Sequence, residues 1–267
     1  MKPLAIDLYC GLGGWTEGLL AEGYDVVGFD IERHVYGDQR YPAQLVVQDA
    51  LTIHGSQFRD AALIVASPPC QEYSYMAMPW SLAKAKRDEY RAGIRDVKQL
   101  TALFGACFRI QREAIEAAGH FIPLVVENVR GAQEWVGRSR WAFGSFHLWG
   151  DVPALMPMVV KRNGTKSGRP AGEGVMAWTT GHVEGYWNGT KNTGGSRFNI
   201  AHNTTSGKGN NPARGPGIDG IKQGGDWFSD GISLTTGSKS PARKAASAMI
   251  AKIPLPLSRH IAASWRP

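Results

Sequence analysis

The chain has 267 residues, 43% of them apolar, enough for one large domain or a core domain with a smaller lobe. No apolar run approaches the ~20 residues that span a bilayer. The formal charge of +7 is uneven: residues 1–150 hold 15 Lys+Arg against 17 Asp+Glu, and residues 151–267 hold 15 against 6. Such a basic second part suits contact with a polyanion, most commonly nucleic acid, although a solubilising surface would carry the same charge. Three cysteines, an odd number, argue against a disulfide framework. "MKPLAIDLYCGLGG" interrupts its apolar run with Asp7, unlike a secretory signal, so the expected compartment is a reducing cytoplasm.

Short runs of Val, Ile and Leu at Leu4–Tyr9, Asp25–Asp30, 45–48, Leu63–Ala66 and Leu124–Glu127 read as buried parallel strands. Trp15–Glu22 and Val97–Ala118 read as helices, the second with Leu100, Leu103, Phe104, Cys107, Phe108, Ile110 and Ile115 at helical spacing and Gly119 as its C-cap. This alternation predicts an α/β, Rossmann-like doubly wound sheet in a first domain, residues 1–150. Residues 151–236 turn rich in Gly, Asn, Thr and Ser with scattered aromatics and read as a loop-rich lobe. Asn163-Gly-Thr, Asn188-Gly-Thr and Asn203-Thr-Thr read there as turns. Residues 237–267 read as two helices, the first capped by Ser240 and Pro241, the second over "PLSRHIAASW".

"DLYCGLGGW" follows the first strand, and Gly11, Gly13 and Gly14 permit a tight turn and a close ligand. Thr16 stands where a dinucleotide fingerprint has its third glycine, so the turn suits a cofactor without a pyrophosphate. Asp30 ends the second strand, where a carboxylate can accept ribose hydroxyls. Asp49 ends the third, where one can accept an adenine amino group. S-adenosylmethionine fits this set better than NAD.

The fourth strand ends in "SPPCQ". Two prolines fix the backbone before Cys70 and hold its side chain just past the sheet, as a nucleophile needs; a cysteine serving as a small hydrophobe sits more naturally inside an element, as Cys107 does. The fifth strand ends with Glu127 and Asn128, and a partly desolvated carboxylate there can act as a general acid.

"DLYCGLGGW", "GFDIE", "SPPCQEYS" and "ENVRG", in this order, resemble the blocks of the DNA (cytosine-5) methyltransferases, over roughly residues 4–130. The resemblance implies that Cys70 attacks C6 of a flipped cytosine, that Glu127 holds or protonates N3, and that C5 takes a methyl group from S-adenosylmethionine. It places Asp7, Tyr9, Gly11, Leu12, Gly13, Gly14, Trp15, Asp30, Ile31, Asp49, Ala50 and Pro69 around the cofactor. It puts Pro69, Gln71, Ser74, Asn128 and Arg138 at the base or the DNA. It makes Gln71–Lys98 a mobile loop bearing Lys84, Lys86 and Arg87 near DNA, and 151–236 a target recognition lobe for double-stranded DNA. Compact relatives of this type are often phage-encoded, and a restriction endonuclease partner is left open. A monomer without metal is expected.

Two blocks depart from the family. Its Gln-x-Arg-x-Arg segment has only "GRSRW" as a counterpart, with Arg138 and Arg140 close to Glu127, so Arg140 is the candidate for steadying the base and a phosphate-binding pair is the alternative. Its closing Gly-Asn block is replaced by "MIAKIPLPLSRHIA", with Ala251 and Lys252 at the cofactor end. Lys252 reads as a solvated helix residue, or as an ammonium suited to a carboxylated cofactor and carboxymethyl transfer. The remaining alternatives are the same chemistry on RNA or tRNA, and a catalytically silent DNA-binding protein.

Overall fold

The computed structural model describes residues 2–73, 80–143, 146–156, 244, 248 and 251–267. In chain order the elements are β1 (Leu4–Leu8), α1 (Gly14–Ala21), β2 (Asp25–Asp30), β3 (Val35–Tyr36), β4 (Gln39–Arg40), β5 (Gln44–Val47), β6 (Ala61–Ala66), α2 (Trp80–Arg91), α3 (Val97–Ala118), β7 (Leu124–Asn128), α4 (Gln133–Val136), β8 (Trp141–Phe143), β9 (Phe146–Gly150) and, at the C-terminal end, α5 (Leu255–Ser264). The main sheet runs β5-β2-β1-β6-β7-β9-β8. Its first five strands are parallel, and β9 and β8 extend it antiparallel. This is the α/β, Rossmann-like sheet expected of a methyltransferase domain.

The central strands are apolar throughout because both faces are covered. Ile6, Leu8, Ile64, Ala66, Leu124 and Val126 pack toward Phe104, Cys107, Ile110 and Ala114 of α3. The alternate residues Ala5, Leu63, Val65 and Val125 pack with Trp15 and Leu19 of α1 and Leu257 and Ile261 of α5. Asp96 caps α3 by accepting the Lys98 amide, and Gly119, with φ 73, closes it.

Helix α5 reaches the sheet by lying against a glycine face of α1. A Cβ at Gly14 would meet the Ile253 backbone, and one at Gly18 would meet Ser258 Oγ and stand 2.5 Å from the Arg259 amide nitrogen. Around this contact Tyr24 donates to Ala262 O (3.0 Å), Arg259 pairs with Glu22 (2.6 Å) and Lys252 with Glu17 (2.5 Å).

Several features depart from the expectations. The segment 71–98 is not a loop throughout: α2 occupies its middle, as "SLAKAKRDEYR", a run dominated by good helix formers, permits, and α3 begins at Val97. Within it Lys86 pairs with Glu72 (3.1 Å) and Arg87 with Asp88 (3.5 Å). The β3–β4 hairpin and the β8–β9 hairpin were not anticipated. The lobe beyond Met156, its three Asn-x-Thr turns and Ser74 lie outside the described residues. Of the helix expected from Ser240, Lys244, Ala248 and Ala251 are described as helical, and Lys252 and Ile253 follow outside it. Among the described residues, no helix is long and apolar enough to cross a membrane, and no cluster of three His, Cys, Asp or Glu is placed to hold a metal ion.

One carboxylate lies inside this packing. Asp7, on β1, is 1% exposed. Its Oδ2 accepts the Thr16 hydroxyl (2.6 Å), which in turn meets the Tyr41 hydroxyl (2.6 Å), while Oδ1 is buried with no hydrogen-bond partner. Burial pushes the Asp7 carboxyl up to about 7, the Thr16 hydrogen bond opposes this, and the charge of Asp30 adds to it.

Two predictions follow the packing and the buried charge. Gly18→Ala drives a methyl group into the α5 backbone and is expected to cost about 1–3 kcal/mol, whereas Gly105→Ala, in α3 with nothing within 4 Å of its Cβ, is expected to gain about 0.5–1 kcal/mol. Urea unfolding of the two variants checks the opposite signs. For Asp7, the native state keeps a proton that the unfolded chain releases near the ordinary carboxyl value of 3.8, and gives it up only near pH 7. The contribution favouring the fold is therefore complete below the unfolded value and is lost as pH rises through about 7. Asp7→Asn should remove this dependence and exceed the parent in stability at pH 8 by up to about 4 kcal/mol, with the difference vanishing below pH 4.

Candidate active site

The turn after β1 begins with a strained residue. Tyr9 has φ 57, a left-handed conformation unusual for a bulky side chain, and its hydroxyl is tied to Leu103 O of α3 (2.8 Å). Burial pushes its phenol above the ordinary value. Gly11 follows with φ 51, and a Cβ there would meet nothing within 4 Å, so the backbone faces open space. Leu12, Gly13 and Gly14 are buried, with Gly13 against Pro42 and Tyr41, and Gly14 under Lys252 and Ile253. Trp15 is 2% exposed, and its indole donates to Ser67 Oγ (2.9 Å).

Asp30 sits across this turn. Its Oδ2 accepts the Gly11 amide (2.9 Å) and its Oδ1 accepts the Ile31 amide (2.8 Å), with His34 Nε2 at 3.4 Å. Burial opposes the charge, yet hydrogen bonds from His34 and Gly11 hold the carboxyl below the usual range. The same contact with Asp30 raises His34 above its ordinary value. Ile31 beside it is 70% exposed, a large apolar side chain at the rim. Asp49 caps a short turn by accepting the Leu51 amide (2.9 Å), Ala50 is buried, and Leu51 is exposed. An open glycine backbone, two carboxylates and exposed apolar side chains beside them fit the ribose and adenine of an adenosyl group.

Cys70 is half-buried past β6. Its approach is fixed from three sides: Ser67 N donates to Leu8 O (3.2 Å), Trp15 donates to Ser67 Oγ, and Asn128 Nδ2 donates to Pro68 O (2.9 Å). Pro69 and Gln71 are exposed. Glu127 is 3% exposed and Asn128 fully buried at the end of β7. A cleft of about 190 Å³ opens beside the loop between Pro69, Tyr73, Tyr90, Leu100 and Leu103.

Arg138 and Arg140 are exposed and belong to the sheet edge. Arg140 donates its amide to Leu148 O (2.8 Å) and precedes Trp141, which pairs with Leu148, itself the partner of Glu127. Two strand spacings therefore separate that backbone from β7. Ala251 is exposed, and the Lys252 ammonium, expected to be solvated or directed at a cofactor carboxylate, rests on Glu17. Residues missed from sequence are Ser67, Thr16, Tyr41 and His34. Only His34, four residues after Asp30, carried a local signal.

The chain resembles the S. pombe Dnmt2 methyltransferase at 17% identity and a TM-score of 0.32, over 51% of this chain and 37% of that one. A putative DNA modification methyltransferase encoded within an E. coli prophage matches at 18% and 0.31, over 51% and 35%. The Entamoeba histolytica methyltransferase EhMeth matches at 16% and 0.30, over 51% and 41%. No curated protein matches the chain. All the strand ends that meet at this edge fall within residues 4–133, the stretch that matches the family described as C-5 cytosine-specific DNA methylase. Residues 4–133, just under half of the chain, thus match the C-5 cytosine-specific DNA methylase family, whose methyl donor is S-adenosylmethionine.

Proposed function

We propose that this protein methylates C5 of cytosine in double-stranded DNA, with Cys70 as nucleophile and Glu127 as the acid at N3. The observation that carries the reading is the shared anchoring of one loop: Asn128, next to Glu127, and Trp15, in the cofactor turn, both hydrogen-bond the two residues that lead to the Pro69-Cys70 pair. The nucleophile, the acid and the donor's turn thus sit on one rigid edge, as a reaction between neighbouring ring atoms demands.

In this reading the Cys70 thiolate adds to C6, because C5 is too weak a nucleophile while the ring stays aromatic. Glu127 gives its proton to N3 as the electron pair arrives, so charge does not build up on the ring. S-adenosylmethionine, when bound, supplies an electrophilic methyl group to C5. Loss of the C5 proton to a base, elimination of the Cys70 thiolate and return of the N3 proton to Glu127 restore the ring. Asp30 accepts ribose hydroxyls, Asp49 the adenine amino group, and Ile31 packs on the adenine. The target base is inaccessible inside a duplex and is flipped out to reach Cys70. The basic residues beyond 150 supply the attraction to the phosphate backbone.

Incubation with S-adenosylmethionine and a mixed-sequence duplex, followed by base-resolution methylcytosine sequencing, tests this. Methylation in one short sequence context is expected. Cys70→Ala should lower it by at least about 10³-fold, and Glu127→Gln by about 10²–10⁴-fold. Asp30→Ala should weaken cofactor binding about 10- to 100-fold in calorimetry, the loss of a charge-assisted hydrogen bond. Transfer to RNA and not to DNA, or none from the folded, cofactor-binding protein, overturns the reading.

A further inference from the structure

The Trp15–Ser67 hydrogen bond crosses a particular gap. The sheet order changes direction at β1: β2 lies on one side and β6 on the other, and the crevice between their carboxyl ends is where open α/β sheets bind ligands. Trp15 lies at the start of α1, directly after the glycine turn that follows β1, and Ser67 is the residue that leaves β6 toward Pro68, Pro69 and Cys70. The two are 52 residues apart in sequence and 2.9 Å apart in space. Trp15 is also locked, at 2% exposure, among Leu19, Leu63, Val65 and Ile253. It cannot follow a displaced loop without disturbing that core.

We infer that Ser67 is a positioning residue: its hydroxyl, held by the Trp15 indole, sets Cys70 at a fixed distance from the cofactor turn and couples occupancy of that turn to the thiol. The inference rests on Cys70 being the nucleophile. The physical need is specific. The thiol adds at C6 and the methyl arrives at C5, adjacent atoms of one ring, so the loop bearing the thiol and the turn bearing the donor must keep a common register. A 1 Å misplacement of reacting groups costs about 10²-fold in rate. Two prolines make the stretch from Ser67 to Cys70 stiff, so a restraint on Ser67 reaches the sulfur.

The test uses the full chain as Ser67→Ala, Trp15→Phe and Ser67→Thr. Alkylation of Cys70 by iodoacetamide is followed by mass spectrometry with and without S-adenosylhomocysteine. Cys10 and Cys107 are buried and serve as internal controls for unfolding. Bound cofactor is expected to change the Cys70 alkylation rate in the wild type and in Ser67→Thr, and not in Ser67→Ala or Trp15→Phe. In the methylation assay Ser67→Ala should lower kcat by on the order of tenfold or more, with little change in the cofactor KM and recovery in Ser67→Thr. An equal cofactor response of Cys70 in wild type and Ser67→Ala, no response in the wild type, or a loss confined to the cofactor KM each overturns the inference. A wild type that methylates no nucleic acid defeats the functional reading instead, and the alkylation experiment still decides the coupling.

Discussion

The parallel pairing of β1 with β2 on one side and β6 on the other is the constraint on which the site depends. Leu8 pairs with Phe29 and with Ala66, and Ala66 pairs with Val126, so four strands end within two residues of one another. Whatever follows each strand is then delivered to the same edge: the glycine turn, Asp30, the Pro-Pro-Cys loop and the Glu127–Asn128 pair. A slip of one residue in any pairing would turn every side chain of that strand to the opposite face. Covering both faces prevents it, since Ile64 and Val65 each find a fully apolar neighbourhood only in the present register. The core thus serves as the alignment device of the active site.

That edge is also where local preferences are overruled. Tyr9 adopts φ 57 and Asp7 is buried with one oxygen unsatisfied, each a cost of about 1–3 kcal/mol. The surrounding structure holds them there. Tyr9 is pinned through its hydroxyl to α3, and Asp7 is clamped by Thr16 and Tyr41, the latter packed so closely on Gly28 that any Cβ there would strike the ring. Strain concentrated beneath the glycine turn is the distribution expected when geometry at a site matters more than stability.

The strands of the first domain were legible because burial on both faces leaves a continuous apolar run, and α3 because its apolar residues keep helical spacing over 22 residues. Cys70 and Glu127 were legible because prolines and a strand end give them local context. The β8–β9 pair was not: "WAF" and "FHLWG" become strands because β7 offers an edge to pair with, a demand that arises only in the folded chain. The same pair carries the Arg140 backbone to the far side of β9 from Glu127, although the two are near in sequence. Ser67 was invisible for a related reason. A serine before two prolines is an ordinary turn residue until a tryptophan 52 positions away is brought to its hydroxyl. Local signals single out the groups proposed to react, and tertiary contacts the groups proposed to aim them.

Electrostatics divide along the same line. In the described part, several cations rest on carboxylates: Lys86 on Glu72, Arg91 on Glu134, Arg95 on Glu89, Arg109 on Glu113, Arg259 on Glu22 and Lys252 on Glu17. Such exposed pairs add little stability, but each removes a charge from the field that a distant polyanion would feel. With residues 1–150 at a net −2 and residues 151–267 at +9, the half that holds the candidate site has almost no attraction of its own to offer a phosphate backbone. The other half holds the whole surplus. Affinity and its salt dependence should therefore belong to the second part of the chain, and the rate of the chemical step to the first. Screening added salt would then weaken capture of the substrate while leaving untouched the short hydrogen bonds from Trp15 and Asn128 that hold the Cys70 loop.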